Sequence, residues 1–234
     1  MINDTDFETY FYLSPTRLTF SVFKKDSKTK IITDEFIIQE NSNNIDFEKV
    51  EILLEKNIFE IEKKTQTFLN DVCLIIDSDD SLPIDMSFRQ NNEGLEIKQK
   101  DLHYLLKDAK QQVKKHYYDK SIIHLIIENY FFDNIHYSYF PENLICNNFL
   151  LEIRFICFSK KMIKKIERIF QKHQIFISKV ICGKYTKEFY KDSKTDICEM
   201  GLNIRNGCND KEVLLVPKIE EKKGFFEKFF NLFG

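Results

Sequence analysis

The sequence is poor in the residues that usually separate domains or build catalytic loops. It contains no tryptophan, four prolines and six glycines among 234 residues. No stretch rich in proline and glycine divides the chain, and it carries no Gly-x-Ser-x-Gly, Walker or Gly-x-Gly-x-x-Gly motif. No apolar run approaches the roughly 20 residues of a membrane-spanning helix. These absences argue against tethered independent domains, the common nucleotide-binding loops and a transmembrane body.

Charge, cysteine and histidine content exclude further classes. The net charge of -2 gives no overall attraction for nucleic acid. Six cysteines without a Cys-x-x-Cys spacing are expected to be small buried side chains in a reducing compartment. The histidines lie far apart, with no acidic or thiol partner at metal-ligand spacing, so we expect no metal. The acidic amino terminus does not resemble a signal peptide, and we expect a cytoplasmic protein.

The middle of the chain alternates apolar strands with one basic helix. Two apolar runs at 121–127 and 129–132 precede a strand at 148–158, in which apolar and polar residues alternate. Apolar residues then repeat every three or four positions over 160–173, which predicts an amphipathic helix. Strand character returns at 174–182. We expect a small α/β unit whose sheet is covered by that helix.

The first half of the chain has a similar composition of elements. Its pattern predicts a hairpin, a long helix capped by Asp46, a short strand buried on both faces, and a second helix. The expected ranges are 11–23 and 30–38 for the hairpin strands, 46–69 for the first helix, 72–76 for the buried strand, 86–90 for its partner and 99–115 for the second helix.

Over residues 8–183 this order of elements resembles FtsA, the actin-like protein of bacterial cell division. In the middle of the chain the resemblance rests on a strand that leads to Asp133 and on Leu151-Glu152 before the basic helix. In the first half it rests on Ile97, Asp101 and Ala109. The resemblance implies an α/β fold: a truncated actin-like, ribonuclease H-like subdomain with an inserted strand-helix-strand-strand subdomain.

The resemblance also implies the domain boundaries. Residues 1–96 and 184–216 would form the truncated actin-like subdomain, and residues 97–183 the inserted interaction subdomain. Residues 217–234 would be a linker followed by a C-terminal amphipathic helix. No sequence is left for the second actin lobe, which in the family completes the adenosine pocket.

The phosphate-binding loops of the family are degenerate in this chain. Where actin-like ATPases carry Asp-Ile-Gly-Thr, this sequence has Ser14, Pro15, Thr16 and Arg17, with no acid, no glycine and a proline that lacks an amide donor. The second loop is replaced by residues 199–217, which form either a reduced hairpin turning at 206–207 or an extended connector. We therefore expect no bound nucleotide, no cofactor and no enzymatic activity.

One acidic cluster follows the buried strand of the first half. Asp77, Asp79 and Asp80 occupy a position where carboxylates sometimes bind a metal. Because the spacing is not that of a calcium-binding loop and no glutamate ligand follows, we expect a solvated turn.

The main hypothesis is a membrane-associated, non-enzymatic FtsA-like adaptor that contacts cell-division proteins through the inserted subdomain and self-associates. Contact with FtsZ is in doubt, because the lobe that provides it in the family is missing. Two alternatives remain: a nucleic-acid-binding module that uses the basic helix 160–172, for which the net charge is unfavourable, and a pilus-assembly relative in the actin-like superfamily. The candidate partner-binding residues on this helix are Lys161, Lys164, Lys165 and Arg168.

The C-terminal segment has the pattern of a membrane-surface helix. At 3.6 residues per turn its phenylalanines gather on one side, and its length of about three turns is too short to span a bilayer. FtsA proteins similarly end in an amphipathic helix after a polar linker. We expect this segment to hold the protein on the inner face of the cell membrane, with a preference for anionic lipid. The expected membrane-binding residues are Lys222, Lys223, Phe225, Phe226, Lys228, Phe229, Phe230, Leu232 and Phe233.

Overall fold

The computed structural model describes residues 6–141, 143–191 and 195–213. Strands and helices alternate along the chain, as the sequence pattern predicts. The strands are β1 Phe7–Leu13, β2 Arg17–Lys24, β3 Lys30–Ile37, β4 Asp71–Ile76, β5 Leu82–Glu96, β6 Lys120–Phe132, β7 Ile135–Tyr137, β8 Ile145–Ser159 and β9 Phe176–Cys182. The helices are α1 Phe47–Thr65, α2 Gln99–His116, α3 Lys160–Gln171, α4 Gly183–Phe189 and α5 Ile197–Arg205. Each helix in the described ranges is too short or too polar to cross a membrane.

The first sheet has the strand order β3-β2-β1-β4-β9. Strands β1, β2 and β3 are antiparallel neighbours, whereas β4 runs parallel to both β1 and β9. Helices cover both faces. The Phe170 ring of α3 meets Phe11 of β1 edge to face, with 5.3 Å between centroids, and Gly201 of α5 lies against Ile75 of β4 on the opposite face. This two-sided cover is why Val72 to Ile76 are buried throughout, as expected from their apolar run.

The second sheet has the order β5-β8-β6-β7, with antiparallel neighbours throughout. Its inner face is formed by alternate residues of β8, such as Leu151, Ile153 and Phe155, as predicted. Helix α2 packs on this face through its apolar stripe, and together they form a second core. The α2 residues in this core are Leu105, Leu106, Ala109 and Val113.

The outer face of the second sheet is divided. At one end, Ile126, Ile156 and Phe158 belong to the core of the first sheet. At the other end, Leu150, Phe131 and their neighbours are only partly buried, and no helix of the described residues covers them. Half of the outer face of the second sheet therefore packs against the core of the first sheet, and the other half is open.

Strand membership differs from the sequence prediction at two places. Strand β5 pairs with β8 in the second sheet, so the expected pairing of 86–90 with β4 is wrong. Strand β9 pairs with β4 in the first sheet, whereas the sequence pattern placed it in the sheet of the middle α/β unit. Helix α3, expected to cover the middle unit, packs through Ile166 and Phe170 in the first core. The strand pattern predicts which residues are buried but not which strands meet. The division into domains stays a prediction.

The hairpin and the C-terminal elements also differ from the expectation. The predicted strand 11–23 is broken into β1 and β2 by a turn at Ser14 to Thr16. The two apolar runs around Glu128 form one strand, β6, with a register shift at that residue. Residues 197–205 form helix α5, so neither a hairpin nor an extended connector is present there. Asp196 starts this helix by accepting hydrogen bonds from the backbone amides of Cys198 and Glu199.

Candidate functional site

The carboxyl ends of the three parallel strands of the first sheet meet at one edge. In register, Leu13 of β1 lies beside Ile76 of β4, and Ile76 lies beside Cys182 of β9. The next residues of these strands, including Asp77 and Gly183, therefore come together. Ligands of open α/β sheets bind at this edge, which makes it the first place to look for a site.

A compact polar cluster occupies this edge. The Tyr12 hydroxyl donates to Asp77 Oδ2 over 2.8 Å. The Lys187 ammonium, from α4, donates to the same carboxylate oxygen over 2.5 Å and to the Tyr12 hydroxyl over 3.2 Å. The Asp77 side chain is only 15% exposed. One buried carboxylate is therefore neutralised by an ammonium group of the same chain.

The pKa shifts of Tyr12 and Lys187 agree with a cluster whose polar groups bond one another. Burial raises the pKa of Tyr12, and the Asp77 carboxylate raises it further. Burial alone would lower the pKa of Lys187, but its hydrogen bonds to Asp77 and Tyr12 outweigh burial, and the net shift is upward. Both shifts hold the cluster in one protonation state, with Tyr12 neutral and Lys187 charged. The Tyr12 hydroxyl and the Lys187 ammonium therefore both keep their protons near neutral pH.

The four predicted remnants of a phosphate loop form the turn between β1 and β2, next to this cluster. The Ser14 amide donates to the Arg17 carbonyl over 3.0 Å, and the Arg17 amide donates to Ser14 Oγ over 3.1 Å. Pro15 has no amide hydrogen, and Thr16 follows it. The Arg17 guanidinium pairs with Glu35 over 3.2 Å. The turn uses its own donors internally and leaves few for a phosphate.

Gly183 permits the close approach of α4 to the end of β4. A β-carbon at this position would lie 2.8 Å from the Asp77 β-carbon and 3.1 Å from its α-carbon. These atoms are the Asp77 β-carbon and backbone, which cannot move aside as the end of a side chain can. Gly183 therefore places the first turn of α4, and with it Lys187, against Asp77.

The other two aspartates of the cluster have separate roles. Asp79 is exposed and pairs with Lys184 over 2.6 Å, whereas Asp80 accepts the Ser159 amide over 3.0 Å before α3 begins. The expectation of a solvated turn thus holds for Asp79 but is wrong for Asp77, which is largely buried. Among the described residues, no group of three or more His, Cys, Asp or Glu side chains is arranged to hold a metal ion.

A second polar network is fully buried between the two sheets. His124 of β6 is 0% exposed, and its Nε2 accepts the Cys182 amide over 2.9 Å. Its Nδ1 therefore carries the hydrogen and donates to Glu212 Oε1 over 2.7 Å. The other Glu212 oxygen accepts the Tyr185 hydroxyl over 2.9 Å. Asn209 donates to that hydroxyl over 2.7 Å, which completes the network.

This network holds the segment that follows α5. The Ile127 amide donates to the Lys211 carbonyl and the Val213 amide to the Leu125 carbonyl, each over 2.8 Å, so residues 211–213 lie along β6. The network therefore joins β6 of the second sheet, the end of β9 and residues 209–213. No local sequence pattern signals this contact, because His124 and Glu212 are 88 residues apart.

The four candidate partner-binding residues lie on α3 and are exposed. The Lys165 ammonium lies over the Phe47 ring of α1, 4.4 Å from its centroid, whereas no ion pair of Lys161, Lys164 or Arg168 is found among the described residues. The predicted membrane-binding residues between 222 and 233 lie outside the described residues, and the prediction for them stands untested. Five of the cysteines are buried, as expected, and Cys208 is exposed.

No protein-family model matches the chain, and no curated protein matches its sequence significantly. Solved structures do match it. A structure of the PilM-PilN type IV pilus biogenesis complex aligns with a TM-score of 0.50 at 6% identity, over 78% of this chain and 49% of that one. The cytoplasmic domain of EpsL, an inner membrane component of the Vibrio cholerae type II secretion system, aligns with a TM-score of 0.37 at 12% identity, over 77% and 57%.

A Bacteroides thetaiotaomicron protein described as having an actin-like ATPase fold and unknown function aligns with a TM-score of 0.37 at 12% identity, over 82% of this chain and 58% of that one. The chain has a mixed α/β, truncated actin-like fold. It spans 49% to 58% of the length of these solved chains.

Proposed function

We propose that this protein is a non-catalytic scaffold that uses an actin-like fold to bind a protein partner in a membrane-associated assembly. The contact of Lys187 with Asp77, 2.5 Å apart, supports the proposal that the protein is non-catalytic. In a site for a magnesium nucleotide, a carboxylate at this edge would face the metal. Here an ammonium group of the same chain takes that place.

The residues at the edge do not fit a magnesium nucleotide. Lys187 and Tyr12 both donate to Asp77 Oδ2, so the charge that a magnesium ion would need is already balanced by the Lys187 ammonium. The neighbouring turn bonds its Ser14 and Arg17 amides internally, and Pro15 lacks one. A phosphate would need several converging amide donors.

The type of assembly is proposed from the fold. The chain of the PilM-PilN complex covers 78% of this protein. This favours a pilus-biogenesis type of assembly over the cell-division adaptor expected from the resemblance to FtsA. The cell-division role remains the second candidate, since the order of elements over 8–183 supports it. In both cases the scaffold would act at the inner face of the cell membrane.

The open half of the second sheet is the proposed partner face. Its charged residues are fixed in place: Arg154 bonds Asp85 over 2.8 Å and lies 3.4 Å from Glu128. Beside them lies a depression of about 290 Å³ that includes Leu150 and Phe131. A rigid strand surface with fixed charges around partly buried apolar groups resembles the mixed composition of non-obligate protein interfaces.

Affinity capture of the tagged full chain from its native extract, with mass spectrometry of the bound proteins, tests this proposal. We expect proteins of a pilus or secretion type of assembly, and we expect Leu150→Asp to lose them. Ile37→Asp is the matched control, because it places the same charge on an exposed apolar residue at the edge of the first sheet. Recovery of cell-division proteins would favour the second candidate, and equal recovery with both variants would contradict the proposed face.

A further inference from the structure

Lysines crowd the point where α2 ends and α3 begins. The loop that follows α2 contacts the start of α3, although the two are distant in sequence: the Lys160 amide donates to the Asp119 carbonyl over 2.8 Å, and the Lys160 ammonium donates to the Tyr118 carbonyl over 2.6 Å. The carboxyl end of α2 and the first turn of α3 therefore lie at the same end of the second sheet, where Lys120 of β6 pairs with Ser159 of β8. We call the residues that share this place the basic-tyrosine surface: Lys114, Lys115, Tyr118, Lys160, Lys161 and Lys164.

The positive charge of this surface is not balanced locally. Within the described part of the chain, no carboxylate lies within ion-pair distance of Lys114, Lys115, Lys161 or Lys164. The nearby Asp119 pairs instead with Lys120 over 3.6 Å. Burial lowers the pKa of Lys110, and the charge of Lys114 lowers it further. Like charges in this region therefore repel one another without a neutralising partner.

Helix stability explains Lys114 and Lys115, which lie in the last turn of α2 where cations are favourable, but it does not explain the lysines at the start of α3. The first turn of α3 contains no acidic residue, and Lys160 and Lys161 occupy its amino-terminal end. Cations at that end oppose the helix dipole. By contrast, Lys172 at the other end of α3 forms an ion pair with Glu51. The unpaired charges lie at the end where they stabilise the helix least.

Two tyrosines accompany the lysines. The side chain of Tyr118 is 77% exposed and that of Tyr117 is 37% exposed, although each ring carries a large apolar area. Tyrosine combines an apolar ring with a polar hydroxyl, and it is enriched where proteins meet the interface of a lipid bilayer. Lysines next to exposed tyrosines form a surface suited to an anionic, partly apolar environment.

We infer that the basic-tyrosine surface docks on a lipid bilayer that carries anionic headgroups. Its cations are lysines, which are attracted to the negative surface potential of an anionic membrane. A site that forms two parallel hydrogen bonds to one phosphate or base would favour arginine instead. Single-stranded nucleic acid is bound in grooves lined with aromatic residues, whereas these tyrosines lie at the exposed junction between two helices. The basic-tyrosine surface consists of described residues alone, and its docking needs neither the C-terminal segment nor the proposed partner.

Vesicle flotation of the full chain tests it, with Phe229→Asp present in every form so that the C-terminal segment contributes little. We expect the Phe229→Asp chain to float with vesicles of phosphatidylcholine and phosphatidylserine at low salt, and not with phosphatidylcholine alone. Adding Lys114→Glu, Lys161→Glu and Lys164→Glu should weaken this binding roughly tenfold or more. The matched control adds Lys24→Glu, Lys56→Glu and Lys63→Glu, three exposed lysines elsewhere, and should retain most of the binding.

Three results would overturn the inference. The first is no flotation of the Phe229→Asp chain with either vesicle. The second is an equal loss in the two triple variants, which would indicate net charge and not this surface. The third is tighter binding to mixed-sequence DNA or RNA than to anionic vesicles, abolished by the first triple variant only. That outcome would assign the surface to nucleic acid.

Discussion

The Lys187 ammonium lies 2.5 Å from the Asp77 carboxylate, although the two residues are 110 positions apart in the sequence. The contact joins α4 to the end of β4 at the edge where open α/β sheets bind ligands. Tyr12 completes it from β1. In this chain a contact within the protein occupies the carboxylate at the centre of the fold's usual binding site.

Lys187→Met should destabilise the fold by roughly 1 kcal/mol. The variant keeps the length of the side chain but leaves the Asp77 carboxylate with Tyr12 as its remaining charge-stabilising donor. The cost stays small because Lys187 is half exposed and its ion pair is screened by solvent. Urea unfolding measures it. Lys184→Met, which removes an exposed pair with Asp79, is the control and should change stability by less.

Gly183→Ala should be costlier, at roughly 1 to 3 kcal/mol, because the new methyl group meets the β-carbon and the α-carbon of Asp77. Thermal unfolding beside Lys184→Ala, the next residue of the same helix, separates the contact from a general effect on α4. A melting temperature unchanged by Gly183→Ala would show that α4 is not held tightly against β4.

Glu212→Ala should destabilise the protein by about 3 kcal/mol, because His124 and Tyr185 would each lose a buried acceptor. Glu212→Gln should cost less, because its side-chain oxygen still accepts one of the two bonds and the Tyr185 hydroxyl can turn to accept the amide hydrogen. Chemical denaturation of both variants checks the order. Equal losses would mean that the shape of the side chain, and not its hydrogen bonds, matters at this position.

Local pattern predicted most elements and few of their partners. The alternation around Leu151 and Phe155 correctly identified the buried face of β8, and the period of α3 correctly identified its apolar stripe. Neither pattern says what covers that face or stripe. The apolar stripe of α3 could pack on either sheet. It packs on the first sheet because β9, the strand that follows α3, pairs there with β4.

The candidate site was only partly visible in the sequence. Asp77 after a buried apolar strand was one local signal, although the sequence favoured a solvated turn there, and the degenerate loop at Ser14 to Arg17 was the other. Tyr12 and Lys187 are 175 residues apart, and neither lies in a motif. Their meeting depends on the parallel pairing of β1 with β4 and of β4 with β9, which a single sequence does not specify.

The C-terminal segment should add an apolar contribution to membrane binding that persists at high salt. At 1 M salt the screening length falls to about 3 Å, so lysine contributions fade while burial of phenylalanine does not. We expect Phe229→Asp to reduce flotation of the full chain with anionic vesicles under these conditions, and Lys228→Gln to leave it nearly unchanged. Equal flotation of the full chain and Phe229→Asp at high salt would contradict the predicted amphipathic helix.

Titration calorimetry of the full chain with magnesium and ATP shows whether Lys187, Tyr12 and the Ser14 turn close the nucleotide edge of the actin-like fold. We expect no saturable heat at micromolar to high-micromolar ATP, and no gain in melting temperature at millimolar ATP. Saturable one-to-one binding in the micromolar range, lost in Asp77→Asn, would contradict this expectation and would identify the edge as a working nucleotide site.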